Sequence, residues 1–298
     1  MTYEHPLAYL LGLEGVALLR AFAGEHDRDF VEARIAEIRE LLDDDSLADA
    51  AVAVDPVDAV EGYRVWSASY DDGRNPAFDL DEPVVGEILD ALPAGVAVDA
   101  ACGTGRYSAV LAGRGHRVIG VDGTPEMLAR ARTRVPGGTF LTGDLHRLPV
   151  AGAGADLVVC ALALTHVPAL GPVLAEFARV LRPGGHLILT DVHPERVLRG
   201  SNPSLRTPDG RPGRLPGYHH PIGSYLRAAL SVGLHPLRCE EPAPPPRPPV
   251  PAPPPGERTP GPWDLWPWSL TDLVPEAARA ADAGVPAMVV WHFRLAGS

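Results

Sequence analysis

A short glycine-rich turn and two nearby carboxylates are the residues best placed to bind a ligand. The turn, Cys102 to Gly105, holds Gly103 and Gly105 and comes just after an apolar run that reaches Asp99. Glycine lets the backbone approach a ligand where a Cβ atom would clash. A second apolar run ends at Asp122, where a carboxylate can accept hydrogen bonds from both hydroxyls of a ribose. The spacing predicts a site for a nucleoside-containing ligand.

The residues around the turn distinguish between the ligands that such turns bind. Sites for NAD, FAD and S-adenosyl-L-methionine (SAM) all use a glycine-rich turn. A dinucleotide fingerprint has a third glycine three residues further on, and this chain has Ser108 there. SAM carries no phosphate, so its turn need not hold an anion, and an Asp precedes the turn here. The pattern therefore favours SAM.

Four histidines could supply a general base, because an imidazole titrates near neutral pH. His166 follows the fourth predicted strand, His193 follows the fifth, and His219 and His220 lie in a long polar segment. Ligands of open α/β sheets bind beyond the carboxyl ends of the strands. We therefore expect His166 first, and His193 second, to be catalytic. No spacing of the His-x-x-x-His kind is present, and we predict no metal site.

Alternating apolar and helical segments predict the framework that positions these residues. The alternation indicates an α/β fold with a doubly wound, mostly parallel sheet of seven strands, the last one antiparallel. The predicted strands are residues 96–100, 117–121, 139–142, 156–162, 186–191, 234–239 and 287–293.

The segments on either side of this framework suggest three parts. Residues 1–75 contain two helical patterns and predict an N-terminal helical cap or lid over the core at 76–192. Residues 193–298 complete the same domain with a long substrate-side loop, strands 6 and 7, and a Pro-rich insertion at 242–262. Ten prolines within 242–255 exclude a packed core there and indicate a stiff surface insertion.

Composition excludes several classes of partner. The chain has 298 residues and a net charge of −12, which argues against binding a nucleic-acid backbone. We find no signal peptide and no apolar run of membrane length, and we expect a cytoplasmic protein without a membrane partner. The expected partner is a small molecule, and a homodimer is left open.

The string from Asp99 to Gly105 resembles motif I of class I SAM-dependent methyltransferases, with Ala101 in place of the usual first glycine. The string from Val180 to Gly185 is also typical of these enzymes. The resemblance extends over roughly residues 60–195 with specific motifs and over residues 224–298 by the order of elements. It is to small-molecule enzymes of the ubiquinone and menaquinone biosynthesis kind. It implies a Rossmann-like fold with SAM as cofactor.

The resemblance also implies roles for individual residues. Asp144 would accept from the adenine amino group, and a Tyr70-Asp71 pair would reach the methionine end. From the residues alone, Asp144 could equally cap a turn, and the cluster of Tyr63, Trp66 and Tyr70 could be packing. The expected cofactor contacts are Tyr70, Asp99, Ala101, Gly103, Gly105, Arg106, Asp122, Gly123, Met127, Gly143, Asp144, Leu145 and Ala161; the expected substrate contacts are His219, His220, Tyr225, Trp263 and Trp266.

The function implied is methyl transfer to a metabolite or a natural product of secondary metabolism, with oxygen favoured over nitrogen or carbon. The Asp/Asn-Pro-Pro-Tyr motif is absent after the fourth strand, which argues against methylation of DNA adenine or of glutamine. Two alternatives stay open: a SAM-binding protein that catalyses a non-methylating reaction such as a cyclisation, and a non-catalytic interaction scaffold.

Overall fold

The computed structural model describes residues 2–297, which form two compact units of discontinuous sequence. Unit 1 comprises the residues up to Val57 together with Gly200–Leu215 and Pro245–Val285. Unit 2 comprises Asp58–Arg199, Pro216–Pro244 and the residues from Pro286 onward. This division differs from the three predicted segments, because residues 58–75 fall in unit 2 and residues 193–298 are shared between both units. The role of residues 1–75 as a cap or lid stays a prediction.

The helices and strands of the described residues are numbered in chain order. The helices are α1 (Pro6–Phe22), α2 (Arg28–Asp43), α3 (Ala59–Trp66), α4 (Phe78–Asp90), α5 (Arg106–Gly113), α6 (Pro125–Arg134), α7 (Leu170–Val180), α8 (Pro194–Leu198), α9 (Ile222–Ser231) and α10 (Pro275–Asp282). The strands are β1 (Thr2–Glu4), β2 (Val52–Pro56), β3 (Val96–Ala100), β4 (Arg117–Asp122), β5 (Thr139–Thr142), β6 (Ala155–Ala161), β7 (Leu181–Val192), β8 (Ser204–Arg206), β9 (Pro212–Arg214), β10 (Leu234–Glu240) and β11 (Met288–Leu295). Within residues 2–297, no helix combines the length and the apolar character needed to cross a membrane.

Unit 2 contains the predicted sheet. Its seven strands lie in the order β10-β11-β7-β6-β3-β4-β5, and β11 runs antiparallel to both of its neighbours. The pairs β3–β4, β3–β6, β4–β5 and β6–β7 are parallel, so the predicted fold class is confirmed. The strand order reverses at β3, which lies between β4 and β6. Ligands of such sheets bind at this reversal point.

The strands of this sheet are buried because helices cover both of its faces. One buried cluster includes Val158 on β6 and Phe177 on α7, and the other includes Val85 on α4 and Leu111 on α5. Strands covered on both sides consist of continuous apolar residues. This explains why short runs such as residues 96–100 identify their strands correctly in the sequence.

Unit 1 joins helices and a small sheet from distant parts of the chain. Its four strands lie in the order β1-β2-β9-β8, and β2 pairs with β9 in parallel. The long substrate-side loop expected after residue 192 contains the short elements α8, β8 and β9. Strands of three residues are too short to show an alternating pattern, and their partners are remote in the sequence.

Candidate active site

A cavity of about 540 Å³ opens in unit 2 where β3, β4, β5 and β6 end. This volume is within the range of about 300–1,000 Å³ that is usual for small-molecule sites. Its walls come from the turn after β3, the ends of β4 and β6, α3, and the segments that contain Tyr70 and Asp144.

The turn after β3 holds three residues with positive φ angles: Ala101 at +58°, Gly103 at +52° and Gly105 at +86°. Gly103 lines the cavity, and no atom lies within 4 Å of the place where a Cβ would stand. At Gly105 a Cβ would instead lie 3.1 Å from the Cα atom of Ala131 on α6. Gly103 therefore leaves room for a ligand, whereas Gly105 lets α5 pack against α6.

Two carboxylates of the cavity are bonded to uncharged donors. Asp122 accepts hydrogen bonds from the backbone N–H groups of Gly103 and Thr124, both at 2.8 Å. Asp99 accepts a hydrogen bond of 2.6 Å from the hydroxyl of Ser108. Burial raises the pKa of both, that of Asp99 to about 6. A hydroxyl or a cation supplied by a ligand would stabilise their charged forms.

The arginines of the cavity are paired with carboxylates. The guanidinium group of Arg106 also lies over the rings of Phe78 and Tyr107, at 3.9 and 4.1 Å from their centroids. Charged guanidinium groups that are already paired are less available to a ligand anion. The pairs, with N–O distances of 2.7–2.9 Å, are Arg74 with Asp79 and Glu82, Arg106 with Asp81, and Arg134 with Asp71.

His166 lines the cavity with a defined tautomer. Its Nδ1 atom lies 2.7 Å from the carbonyl oxygen of Pro216, and its Nε2 atom lies 3.2 Å from the hydroxyl of Tyr63. A carbonyl oxygen only accepts, so Nδ1 carries the hydrogen in the neutral ring and Nε2 accepts from Tyr63. The preceding residue, Thr165, is anchored by two hydrogen bonds of 2.6 Å to the buried carboxylate of Asp191.

Comparison with known proteins agrees with this geometry. Residues 98–189 match the family model described as a methyltransferase domain. The resemblance to SAM-dependent methyltransferases predicted from the sequence is therefore confirmed, and SAM is the methyl donor of that family.

Three similar proteins illustrate the match. A malonyl-[acyl-carrier protein] O-methyltransferase of Serratia marcescens is 34% identical over 124 residues, which cover 42% of this chain and 48% of that protein. A demethylmenaquinone methyltransferase of Beutenbergia cavernae is 37% identical over 105 residues, 35% of this chain and 44% of that protein. The solved structure of a DhpI–SAH complex has a TM-score of 0.54 at 20% identity, with 80% of this chain and 96% of that chain covered. The chain thus matches less than half the length of both curated relatives, and the solved structure supports the fold alone.

Most of the residues expected to contact the cofactor line the cavity. Asp144 lies at its rim, where one carboxylate oxygen accepts from the backbone N–H of His146 at 2.7 Å and lies 2.6 Å from its ring Nδ1. Gly105 and Met127 lie outside the cavity walls, and Met127 is fully buried. The expected residues in the walls are Tyr70, Asp99, Ala101, Gly103, Arg106, Asp122, Gly123, Gly143, Asp144, Leu145 and Ala161.

The second expected base, His193, does not line the cavity. Its Nδ1 atom accepts from the backbone N–H of Glu195 at 3.2 Å, which caps α8. Its Nε2 atom lies 2.8 Å from a carboxylate oxygen of Glu241. Both ring nitrogens are thus used within the fold. A histidine that directly follows a strand can cap the next helix as readily as it can face a ligand.

The expected substrate residues also lie away from the cavity walls. Tyr225 is buried in the core of unit 2 and stacks on Trp291, and His220 is buried with its Nε2 atom 2.7 Å from the carbonyl oxygen of Val167. His219 is exposed. Trp263 and Trp266 are buried in the core of unit 1, where their indole N–H groups donate to the carbonyl oxygens of Leu205 and Pro260 at 3.0 and 2.8 Å. The Trp side chains therefore pack instead of facing solvent.

Among the cavity residues that the expected site did not include are Thr104, Arg134 and Tyr63, which make hydrogen bonds to other residues of the cavity. Thr104 donates to Asp71 at 3.0 Å and accepts from Arg134 at 3.0 Å, which links the turn to α6. Thr104 lies inside the glycine motif, so its position could have indicated it. Arg134 is one of several arginines on α6 and has no such signal. Tyr63, the partner of His166, belongs to an aromatic cluster that the sequence left ambiguous.

Proposed function

We propose that this chain transfers a methyl group from SAM to a small-molecule acceptor and that the methylated atom is an oxygen. The observation that carries the proposal is the turn at the reversal point of the sheet, where Gly103 leaves open space beside the carboxylate of Asp122. The match of residues 98–189 to a methyltransferase domain supports it.

The residues of the cavity fit the cofactor. A side chain at position 103 would fill the space beside the turn, and glycine leaves it open. Asp122 ends β4 and would hold the ribose hydroxyls. Asp144 and Leu145 would hold the adenine, and Tyr70 and the backbone of Ala161 would border the methionine part. When bound, SAM supplies a methyl carbon that is already activated for displacement.

Because the methyl group is already activated, the main task of the protein is to hold the two reactants in line. A hydroxyl acceptor also has to lose its proton, and this requires a base. The orientation of His166 supports that role, since its Nδ1–H group is held by Pro216 and its Nε2 lone pair faces Tyr63. A neutral imidazole adds no positive charge beside the sulfonium.

Among the relatives, one is described as an O-methyltransferase of malonyl-[acyl-carrier protein] and one solved structure contains SAH. The first description supports methyl transfer to oxygen. We propose a small metabolite or natural product as the acceptor, with no nucleic acid involved. The net charge of −12 is consistent with this class of partner.

The test has two stages. Calorimetry should detect SAM binding to the wild-type chain, and incubation with SAM and a panel of hydroxyl compounds should form S-adenosylhomocysteine. His166→Ala and His166→Gln should lower turnover by about 10²–10⁴-fold with little change in SAM affinity. Absence of SAM binding would refute the proposal. If the chain binds SAM and converts an added compound without transferring a methyl group to it, a reaction such as a cyclisation is favoured instead.

A further inference from the structure

We infer that Tyr63 is a catalytic residue that contacts the acceptor hydroxyl and relays its proton to His166, and that the acceptor is a neutral hydroxyl compound. This inference rests on the proposed function. It adds a residue that no sequence motif marks and a chemical class for the acceptor.

The position of Tyr63 is fixed by its neighbours. It lies on α3, which begins at the Asp58 cap, and its side chain lines the same cavity as His166. The Tyr63 ring meets the Trp66 ring edge-on at 5.4 Å and the His166 ring edge-on at 5.7 Å. The Tyr70 ring lies 6.0 Å away. The hydroxyl is therefore held toward His166 by packing on several sides.

The direction of the hydrogen bonds makes a relay possible. Nδ1 of His166 donates to Pro216, so Nε2 must accept and the Tyr63 hydroxyl must donate to it. A phenol oxygen that donates one hydrogen bond can still accept another through its lone pairs. Tyr63 can thus accept a hydrogen bond from a hydroxyl in the cavity. Burial also raises the pKa of Tyr63 well above its usual range, which keeps its proton in place before the reaction.

The charges around the cavity favour a neutral acceptor. The arginines that line it, Arg74, Arg106 and Arg134, are all paired with carboxylates. Asp99 and Asp122 are bonded to neutral donors and add negative charge without a paired cation. These negative charges would repel an acceptor that carries a carboxylate, whereas they would not repel an uncharged hydroxyl compound.

The wall beside His166 is largely apolar. An acceptor that fits it would present a hydroxyl to Tyr63 and an apolar body to these side chains. A phenol or another neutral alcohol with an apolar body matches both requirements. The apolar residues of this wall are Leu162, Ala163, Val167 and Pro168.

The chemical step balances as follows. The acceptor oxygen forms a bond to the methyl carbon while the bond from that carbon to sulfur breaks, and the electron pair stays on sulfur. The acceptor proton moves to the Tyr63 oxygen, and the Tyr63 proton moves to Nε2 of His166. The products are a methyl ether, S-adenosylhomocysteine and a His166 imidazolium that then releases its proton to water.

The experiment compares matched acceptors and matched variants. SAM affinity is first measured by calorimetry for the wild type, for Tyr63→Phe and for Tyr218→Phe, which removes a phenolic hydroxyl outside the cavity walls. Formation of S-adenosylhomocysteine is then followed with 4-ethylphenol, with other neutral phenols and alcohols, and with the acid that corresponds to each, such as 4-ethylbenzoate.

We expect turnover with neutral hydroxyl compounds and at least tenfold less with the acids. Tyr63→Phe should lower turnover about 10²-fold at unchanged SAM affinity, whereas Tyr218→Phe should behave like the wild type. The rate of Tyr63→Phe should rise further with pH than that of the wild type, because the acceptor must then ionise without the relay. Without any ligand, the ¹⁵N shifts of His166 should show protonated Nδ1 and unprotonated Nε2, and the Nε2 signal should move in Tyr63→Phe.

Each opposite result overturns the inference. These are full turnover in Tyr63→Phe, a preference for the acids, a panel in which no neutral hydroxyl compound reacts, or a His166 protonated on Nε2. In these cases methyl transfer by the wild type to any compound of the panel would leave the proposed function standing. If the wild type fails to bind SAM, the proposed function itself fails, and calorimetry detects this before any variant is compared.

Discussion

Buried carboxylates occur in both units, but the groups that contact them differ in charge. In unit 1 the guanidinium of Arg34 bonds to Glu14 at 3.1 Å and to Glu276 at 2.7 Å, and it also contacts Glu37. In unit 2 the cavity carboxylate Asp99 is bonded to an uncharged hydroxyl. Arg34 thus balances the carboxylates of unit 1, whereas no cation among residues 2–297 contacts Asp99.

The difference separates a structural cluster from a binding site. The Arg34 cluster links α1, α2 and α10, and its carboxylate Glu14 is fully buried. Burial raises the pKa of Glu14 to about 8 and that of Asp99 to about 6. Both positions therefore disfavour a free charge. In unit 1 the fold compensates for this, whereas Asp99 in unit 2 borders a cavity where a ligand can do so.

The largest effect is expected from Asp122→Ala. Loss of two hydrogen bonds to a charged group, at about 1.5–3 kcal/mol each, corresponds to a loss of about 10²–10⁴-fold in SAM affinity. Calorimetry measures the affinity directly. Arg34→Met should bind SAM as the wild type does at temperatures where both are folded. Equal SAM affinities for Asp122→Ala and the wild type would mean that Asp122 does not hold the ribose.

Arg34→Met should instead lower the stability of the fold and leave SAM affinity unchanged. Removing one partner of a buried ion cluster leaves carboxylates unpaired and typically costs about 3–5 kcal/mol of stability. Arg28→Met is the matched control on α2, because the pair between Arg28 and Glu32 is exposed and should contribute at most about 1 kcal/mol. Urea unfolding of both variants gives the comparison. Similar losses in the two would contradict a structural role for the Arg34 cluster.

Asp99→Asn should change how stability depends on pH. The ordinary pKa of 3.8 rises to about 6 in the fold, so ionisation of wild-type Asp99 costs stability as the pH rises from about 4 to 6. That difference corresponds to about 3 kcal/mol, and asparagine does not ionise. The stability of Asp99→Asn relative to that of the wild type should therefore increase by up to this amount between pH 4 and pH 7. Urea unfolding at both values tests it, and a pH-independent difference would argue against burial of the charged form.

The smallest effects should separate the two glycines of the turn. Gly105→Ala places a Cβ 3.1 Å from Ala131 at a φ of +86° and should cost about 2–3 kcal/mol of stability. Gly103→Ala meets no atom within 4 Å and should cost only about 1 kcal/mol, from its φ of +52°. Its methyl group would instead enter the cavity and weaken SAM binding. Thermal unfolding should thus show the larger loss of stability for Gly105→Ala, and calorimetry should show the larger loss of SAM affinity for Gly103→Ala.

The sheet and the core of the site follow from the sequence alone. Strands such as β3 and β4 are short continuous apolar runs because both faces of the sheet are covered, so their type is visible locally. The glycine turn and Asp122 are near one another along the chain, within one strand–helix–strand unit. Local patterns therefore predicted the fold of unit 2 and the carboxylates of the cavity.

Contacts between residues that lie far apart in the sequence determine the roles of the other side chains. The hydrogen bond from His166 to Pro216 spans 50 positions, and the pair of Arg34 with Glu276 spans 242. Nothing near His193 in the sequence shows that it caps α8 and reaches Glu241, and nothing near Trp263 shows that Leu205 accepts its N–H. Hydrogen bonds and ion pairs depend on which side chains the folded chain brings within about 3 Å. Only the tertiary structure therefore distinguishes a histidine that faces the cavity from one that caps a helix.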